Sequence, residues 1–506
     1  MTTNEGQTIL IVSSQGLPEP AIPATGGSLR AYALGQALGG CGHRVVHSVP
    51  LSCVATPSVY DDISEYAHQV TDIEQIVARV EPDIVLFCNW GLAVEALELE
   101  VPTVIDMNGS LVLENYYRGR NRLSQDGMAK IEAISKSDFL IAGSNRQKEY
   151  LTAWCLMAGL KPEQIRIGVI PFSLAPVSDA GHYQSSETFV MAGYDWPWLD
   201  GGAYLEAIGQ EFSSLGKGEL LAYTSHSPFV DIFENEDSST EADGNLLTQL
   251  GSSLTIKEPV PFQELETALE GCRVAVDLWQ RNPERDLAVP SRTVMYLRAG
   301  LPVITSAHGS LADMIVQAGA GWKVEAGDYN QLGEIVRTVL ELDKHRLKEI
   351  RDHARALFSR SFSWDQTIGP LDEFCRNPHL NRSSASLSSR LLYYQQLSGS
   401  LNNHVVDRDH KLAHLRGELE ENAHQLGVTR NALEQSNRER TFYQNERDWM
   451  GRILKKPKGF DLFFKSGLLR HRLHRLIIGL PVLTYLTILT LSGHCLHILW
   501  TKVGRR

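Results

Sequence analysis

The sequence contains no Cys-x-x-Cys pair; its seven cysteines are Cys41, Cys53, Cys88, Cys155, Cys272, Cys375 and Cys495. An odd number, scattered in this way, indicates neither a zinc site nor a disulfide framework, and it fits a reducing, cytosolic setting. Basic residues are outnumbered, 48 against 60 acidic, for a net charge of −12. That balance argues against a general nucleic-acid binder, which needs a basic surface. Glycines do follow the first apolar run, in Ala24-Thr25-Gly26-Gly27-Ser28. Their spacing is not that of a dinucleotide fingerprint, so NAD binding is poorly supported. No basic stretch precedes Thr8-Ile-Leu-Ile-Val12, so this run is expected to be a strand and not a signal peptide.

What is present is ordinary for a globular protein, with 43% hydrophobic and 21% charged residues over 506 positions. That length should hold at least two domains, each with its own core. Short apolar runs separated by helix-length segments predict open parallel sheets. In the first half these are Thr8–Ser13, Arg44–Val49, Ile84–Cys88, Thr103–Met107, Phe139–Ala142 and Ile165–Ile170. A polar stretch over 172–187 reads as an interdomain linker. A second sheet then begins at Phe189–Gly193 and continues through Glu219–Tyr223, Val274–Leu278 and Val303–Thr305. Glycines at the first βα turn allow close backbone approach to a phosphate or sugar, although a plain turn explains them as well.

Between the last two of these strands runs Arg281-Asn-Pro-Glu284-Arg285-Asp286-Leu-Ala-Val-Pro290-Ser291-Arg292, leading into a helix that Gly300 ends. A charged loop at the carboxyl end of a parallel strand is where such sheets bind ligands. The free N–H groups of the helix start, the Ser291 hydroxyl and the Arg292 guanidinium together make an anion site, most naturally for phosphate.

Pro290-Ser291-Arg292, Tyr296-Leu297, Ala299-Gly300 and Pro302-Val303-Ile304 resemble the nucleotide-sugar site of family-4-like GT-B glycosyltransferases. Supporting matches, among them Ala142-Gly-Ser144 and Val169-Ile-Pro171, run from about residue 8 to about residue 375. The resemblance implies two Rossmann-like domains facing a cleft, an acceptor-side domain over 1–175 and a donor domain over 187–375. It implies that Gly26 and Gly27 lie against donor and acceptor, and that Ser291 and Arg292 hold the donor diphosphate. Many relatives carry histidine where Asn108 stands, in contact with the donor sugar. Asparagine can hydrogen-bond a hydroxyl but cannot shuttle a proton; a capping role at the strand end is the alternative. Retention of configuration is also implied. No metal and no cofactor are expected, the nucleotide-sugar being a substrate.

Two departures stand out. The loop Gly193-Tyr-Asp-Trp196-Pro197-Trp198 lacks the basic residue with which relatives grip the donor phosphates, and its tryptophans are expected to pack the domain interface. Met295 replaces the glutamate that binds ribose. Glu284 is therefore expected to supply the carboxylate, and Arg281 and Arg285 the cations, with a solvated charge cluster as the alternative.

The last quarter has no counterpart in the family. Residues 376–400 read as a linker. Val405, Leu412, Leu419, Leu426 and Leu433 then repeat every seven residues, one seam of a coiled coil over 401–449 through which 401–440 would self-associate. The other seam position is mostly polar, and Asp407-Arg408-Asp409 lies within this helix, so it is rejected as a metal motif. From Arg452 to Arg475 basic and apolar residues mix, and Leu476–Thr501 carries no charge. The segment 450–506 is expected to lie on or span a membrane, although burial against the protein is open. Together these features predict a glycosyltransferase at the cytoplasmic face of the cell membrane with a lipid-linked or polysaccharide acceptor and no nucleic-acid partner. A non-catalytic scaffold is the rival reading, and a sugar-nucleotide epimerase a weaker third.

Overall fold

The computed structural model describes residues 6–454 apart from 56–57, 70–71, 97–98, 178–185, 194–195, 197, 225–252 and 381–386. The first domain is a six-stranded sheet in the order β2-β1-β3-β4-β5-β6. Its strands are β1 (Thr8–Ser13), β2 (Arg44–Ser48), β3 (Ile84–Cys88), β4 (Thr103–Asp106), β5 (Phe139–Ala142) and β6 (Ile167–Val169). The second sheet runs β12-β11-β10-β7-β8-β9. It comprises β7 (Thr188–Ala192), β8 (Glu219–Tyr223), β9 (Leu254–Lys257), β10 (Val274–Asp277), β11 (Val303–Ser306) and β12 (Gly321–Val324). Every pairing is parallel, with Ile9 opposite Val45 on one side and Ile84 on the other.

Helices cover both faces, which is why the strands read as unbroken apolar runs. On β1 the alternation is direct: Ile9 and Ile11 enter one core, Leu10 and Val12 the other. On β10, Val274 and Val276 pack on one side and Ala275 on the other. The strands expected from sequence form within two residues of their expected ends, the largest shift being at Ile165–Ile170, which pairs only over Ile167–Val169. Strands β9 and β12 are additions. In β9 only Leu254 is buried, so the edge strand carries almost no apolar signal, and β12 lies in what reads as a glycine loop.

The first domain is not closed by its own first half. Helix Gly369–Arg376 returns to it, placing Leu371, Phe374 and Cys375 in the core that holds Ile9 and Ile141. Phe374 stacks on Phe139 at 4.8 Å. His43 accepts the Gln7 N–H at Nδ1 (3.0 Å) and so carries its proton on Nε2, which donates to Asp372 (3.0 Å). Residues 364–376 thus belong structurally to the first domain.

The expected linker over 376–400 differs as well, since one helix of 68 residues runs from Leu387 to Leu454. The Leu391-Leu-Tyr-Tyr-Gln-Gln-Leu397 run there favours helix over coil. The heptad residues Val405, Leu412, Leu419, Leu426 and Leu433 are all exposed on it. Among the described residues no helix is long and apolar enough to cross a membrane. The tail expected at the membrane falls, from 455 onward, outside the described residues.

Candidate active site

A cavity of about 350 Å³ lies where the carboxyl ends of the two sheets face each other. Strands β1, β3 and β4 deliver Ser13, Cys88 and Asp106 to it, and β7 and β8 deliver Ala192 and Tyr223. This is the crevice that open α/β sheets use for ligands. Gly26 and Gly27 open helix Gly26–Gly40, whose first turn is capped by Thr25 accepting the Ser28 N–H (3.1 Å). A Cβ at Gly26 would stand 3.1 Å from Ser291 Oγ of the other domain, and one at Gly27 2.7 Å from Gln15 Oε1. A side-chain carbon at Gly27 would require the Gln15 amide to shift.

Ser291 and Arg292 begin helix Ser291–Arg298 and line the cavity. Tyr296 fixes that helix to the second sheet, since its hydroxyl accepts the Ala192 N–H (2.7 Å) and donates to the Ala192 carbonyl (3.2 Å). The Arg292 guanidinium lies 4.8 Å above the Trp279 ring. It also fills the space against Gly193, where φ is +125° and a Cβ would come within 3.0 Å of Cζ. The loop that lacks a basic residue in sequence is therefore met in space by Arg292. Met295 lines the cavity and packs its other side on the second-domain core.

Glu284 and Arg285 form a buried pair on the cavity wall. Helix Pro283–Leu287 starts at Asn282, whose side chain accepts the Arg285 N–H (3.0 Å). Arg285 Nε donates to Glu284 Oε2 (2.6 Å) and Nη2 to Oε1 (3.0 Å), with Glu284 only 3% exposed. Such forked pairs fix the orientation of both groups. Arg281 is placed differently. Its side chain is exposed, pairs with Asp286 (3.1 Å) and does not line the cavity. Asn108 does line it, at the end of β4 beside Gly109.

Arg30 and Glu114 line the cavity without having been singled out from sequence. Arg30, 3% exposed, forks onto Asp106 (Nε to Oδ2 2.9 Å, Nη2 to Oδ1 3.2 Å) and donates to the carbonyls of Ile170 (2.9 Å) and Pro171 (2.6 Å). Its signal is present in the sequence, because Arg30, Leu34 and Leu38 share one helix face. Glu114 sits on helix Leu111–Tyr117. Burial pushes its carboxyl up to about 7, helped by the charge of Glu284 and opposed by Arg118 and Arg285. The folded protein thus holds a proton that the unfolded chain releases near its ordinary value of 4.5. This group's contribution to stability therefore falls as pH rises across that window.

Trp196 and Trp198 stack at 5.0 Å, and the Arg118 guanidinium of the first domain lies 4.8 and 5.2 Å from their rings. Trp198 clusters with Trp279 and with Tyr117 of the first domain, so the pair packs the domain interface. Among the described residues no group of three or more His, Cys, Asp or Glu could hold a metal ion.

No protein-family profile matches the chain, and no curated protein matches it. Solved structures do. A sucrose-phosphate synthase from Thermosynechococcus elongatus is 16% identical with a TM-score of 0.54, over 73% of this chain and 98% of that one. The Anabaena protein HepE in complex with UDP-glucose is 15% identical (TM-score 0.51, 72% and 99% covered). A glycosyltransferase involved in avilamycin A biosynthesis is 14% identical (TM-score 0.50, 73% and 97% covered). The chain has the GT-B fold of these structures: two Rossmann-like domains with a cleft between them.

Proposed function

We propose that the protein is a glycosyltransferase that moves a sugar from a nucleotide-sugar to a lipid-linked or polysaccharide acceptor, with retention and without a metal. One observation carries this reading. The Ser291 hydroxyl, the Arg292 guanidinium and the first turn of their helix converge on the cavity, opposite the Gly26–Gly27 turn. That arrangement suits a diphosphate, and fixed cationic and dipolar groups stabilise it as it leaves. Tyr223, Val260 and Phe262 supply an apolar wall suited to a nucleobase. Glu284, held by Arg285, and Asn108 are placed to accept from or donate to sugar hydroxyls. The HepE complex makes UDP-glucose a natural first donor to try.

Arg292→Ala tests the donor site. Loss of a charge-assisted contact worth about 1.5–3 kcal/mol should weaken UDP binding at least tenfold in isothermal titration, while the melting temperature shifts little. Binding of UDP by the wild type and unaltered affinity in the variant would remove Arg292 from the site. A wild type that binds no nucleoside diphosphate or nucleotide-sugar from a broad panel would favour a non-catalytic scaffold, for which Met295 is the main support.

The tail would bring this site to the cytoplasmic face of a membrane, and the exposed heptad stripe of the long helix would pair with a second copy. Deletion of 450–506 is expected to leave a folded protein that no longer sediments with membranes. A truncated chain that stays in the membrane fraction after a high-salt wash would refute the tether.

A further inference from the structure

Glu114 and Glu284 both line the cavity, one from each domain, and they are held differently. Both oxygens of Glu284 accept hydrogen bonds from Arg285. No hydrogen bond from another described residue holds the Glu114 carboxyl. Arg118, one turn along the same helix, approaches it to 3.6 Å, beyond a good hydrogen bond. A Cβ at Gly109 would stand 3.0 Å from Glu114 Oε1, so the bare Gly109 backbone (φ +97°) leaves room for the carboxyl beside Asn108. The Glu114 side chain keeps 20% of its surface exposed. A carboxyl this enclosed, on the cavity wall and with no hydrogen bond from another described residue, is poised for a ligand.

We propose that Glu114 receives the acceptor: its carboxylate takes the hydrogen bond of the attacking hydroxyl and turns that oxygen towards the sugar. This rests on the glycosyl-transfer reading above. In the transfer the hydroxyl oxygen bonds to the anomeric carbon, and the bond from that carbon to the diphosphate oxygen breaks. The electron pair leaves on the diphosphate, and the hydroxyl proton goes with it. Glu114 exchanges no proton; it orients.

The charges facing Glu114 set when it can do so. Arg118 comes from its own helix, and Glu284 and Arg285 from the short helix across the cleft. Asp126, on the helix packed behind, is taken up by the Asn115 amide (2.8 Å). Burial and the Glu284 charge outweigh the two arginines, leaving the carboxyl to ionise at about 7. Below that pH its proton competes with the hydroxyl for the same oxygens, and above it the oxygens only accept.

The test uses the full chain and a panel of UDP-, GDP- and ADP-sugars, with nucleotide release followed from about pH 5 to about pH 9, with water and then simple glycosides as acceptors. The wild-type rate is expected to rise through neutrality. Glu114→Gln should be about ten- to a hundredfold slower and flat across that limb, with unchanged affinity for the nucleoside diphosphate. Glu114→Asp should restore part of the rise. A Gln variant that keeps the rate and the inflection overturns the proposal, and so does one that loses nucleotide binding, which would place Glu114 on the donor side. If the wild type neither binds nor turns over any nucleotide-sugar, the glycosyl-transfer reading fails and this role falls with it.

Discussion

Glu284→Ala should lower the stability of the two-domain unit by about 3–5 kcal/mol, the usual result of breaking a buried ion pair from one side. The reason is Arg285, whose side chain is only 13% exposed and would keep its charge without its partner. Urea unfolding measures this as a lower midpoint at an unchanged m-value. Glu284→Gln leaves an amide oxygen for Arg285 and should lose less. Removing both charges, with Arg285→Met beside Glu284→Ala, should recover much of the loss, because the cost lies in the stranded guanidinium. Glu284→Ala alone, with Arg285 kept, withdraws a negative charge from the neighbourhood of Glu114, so that carboxyl should ionise below its present value of about 7. In Glu284→Gln, turnover should fall about a hundredfold, the scale of one lost charged contact to the transition state. An unchanged midpoint in Glu284→Ala would show that the pair is already hydrated and contributes nothing.

Arg30→Met is expected to be as costly, again about 3–5 kcal/mol, by a different route. It strands Asp106, 5% exposed, and removes the donors to the carbonyls of Ile170 and Pro171. These groups end β4 and follow β6, so the loss falls on the rim of the cavity. Asp106 also accepts the Asn108 N–H (3.3 Å), which shapes the turn that presents Asn108. Arg30→Met with Asp106→Asn should be less destabilised than Arg30→Met alone, since no buried charge remains unpaired. Equal midpoints for the single and double variants would show that the carbonyls, and not the carboxylate, are what Arg30 supports.

The two sheets were legible because both faces of each strand are buried, so Ile9–Val12 and Val274–Val276 carry no polar interruption. Strand β9 was not, because an edge strand with one buried residue has no pattern to read. Ser291 and Arg292 could be placed from local order alone, as a helix start after a strand end. Arg281 could not be told from Arg285, since four residues of spacing do not say which side chain turns inward and which pairs with Asp286 at the surface. Glu114 was invisible for a stronger reason. An acid in Leu111-Val-Leu-Glu-Asn-Tyr-Tyr117 looks like the solvated side of a helix, and what makes it unusual is burial in the folded cleft, reinforced by Glu284, 170 positions away and in the other domain. The helix from Leu387 was hidden by the serines just before it, which read as a spacer until Leu391 and Leu392 are weighed.

The return of helix Gly369–Arg376 to the first sheet sets an order on the birth of the molecule. Chains emerge amino end first and tend to fold domain by domain as they appear. Here the earliest sheet to leave the ribosome waits for Leu371, Phe374 and Cys375 before its last face is covered. The second sheet, synthesised entirely in between, has all six of its strands made by then and can close first. For some two hundred residues of synthesis the nascent chain therefore carries an uncovered patch around Ile9, Ile141 and Phe139, a stretch of surface on which a chaperone has time to act.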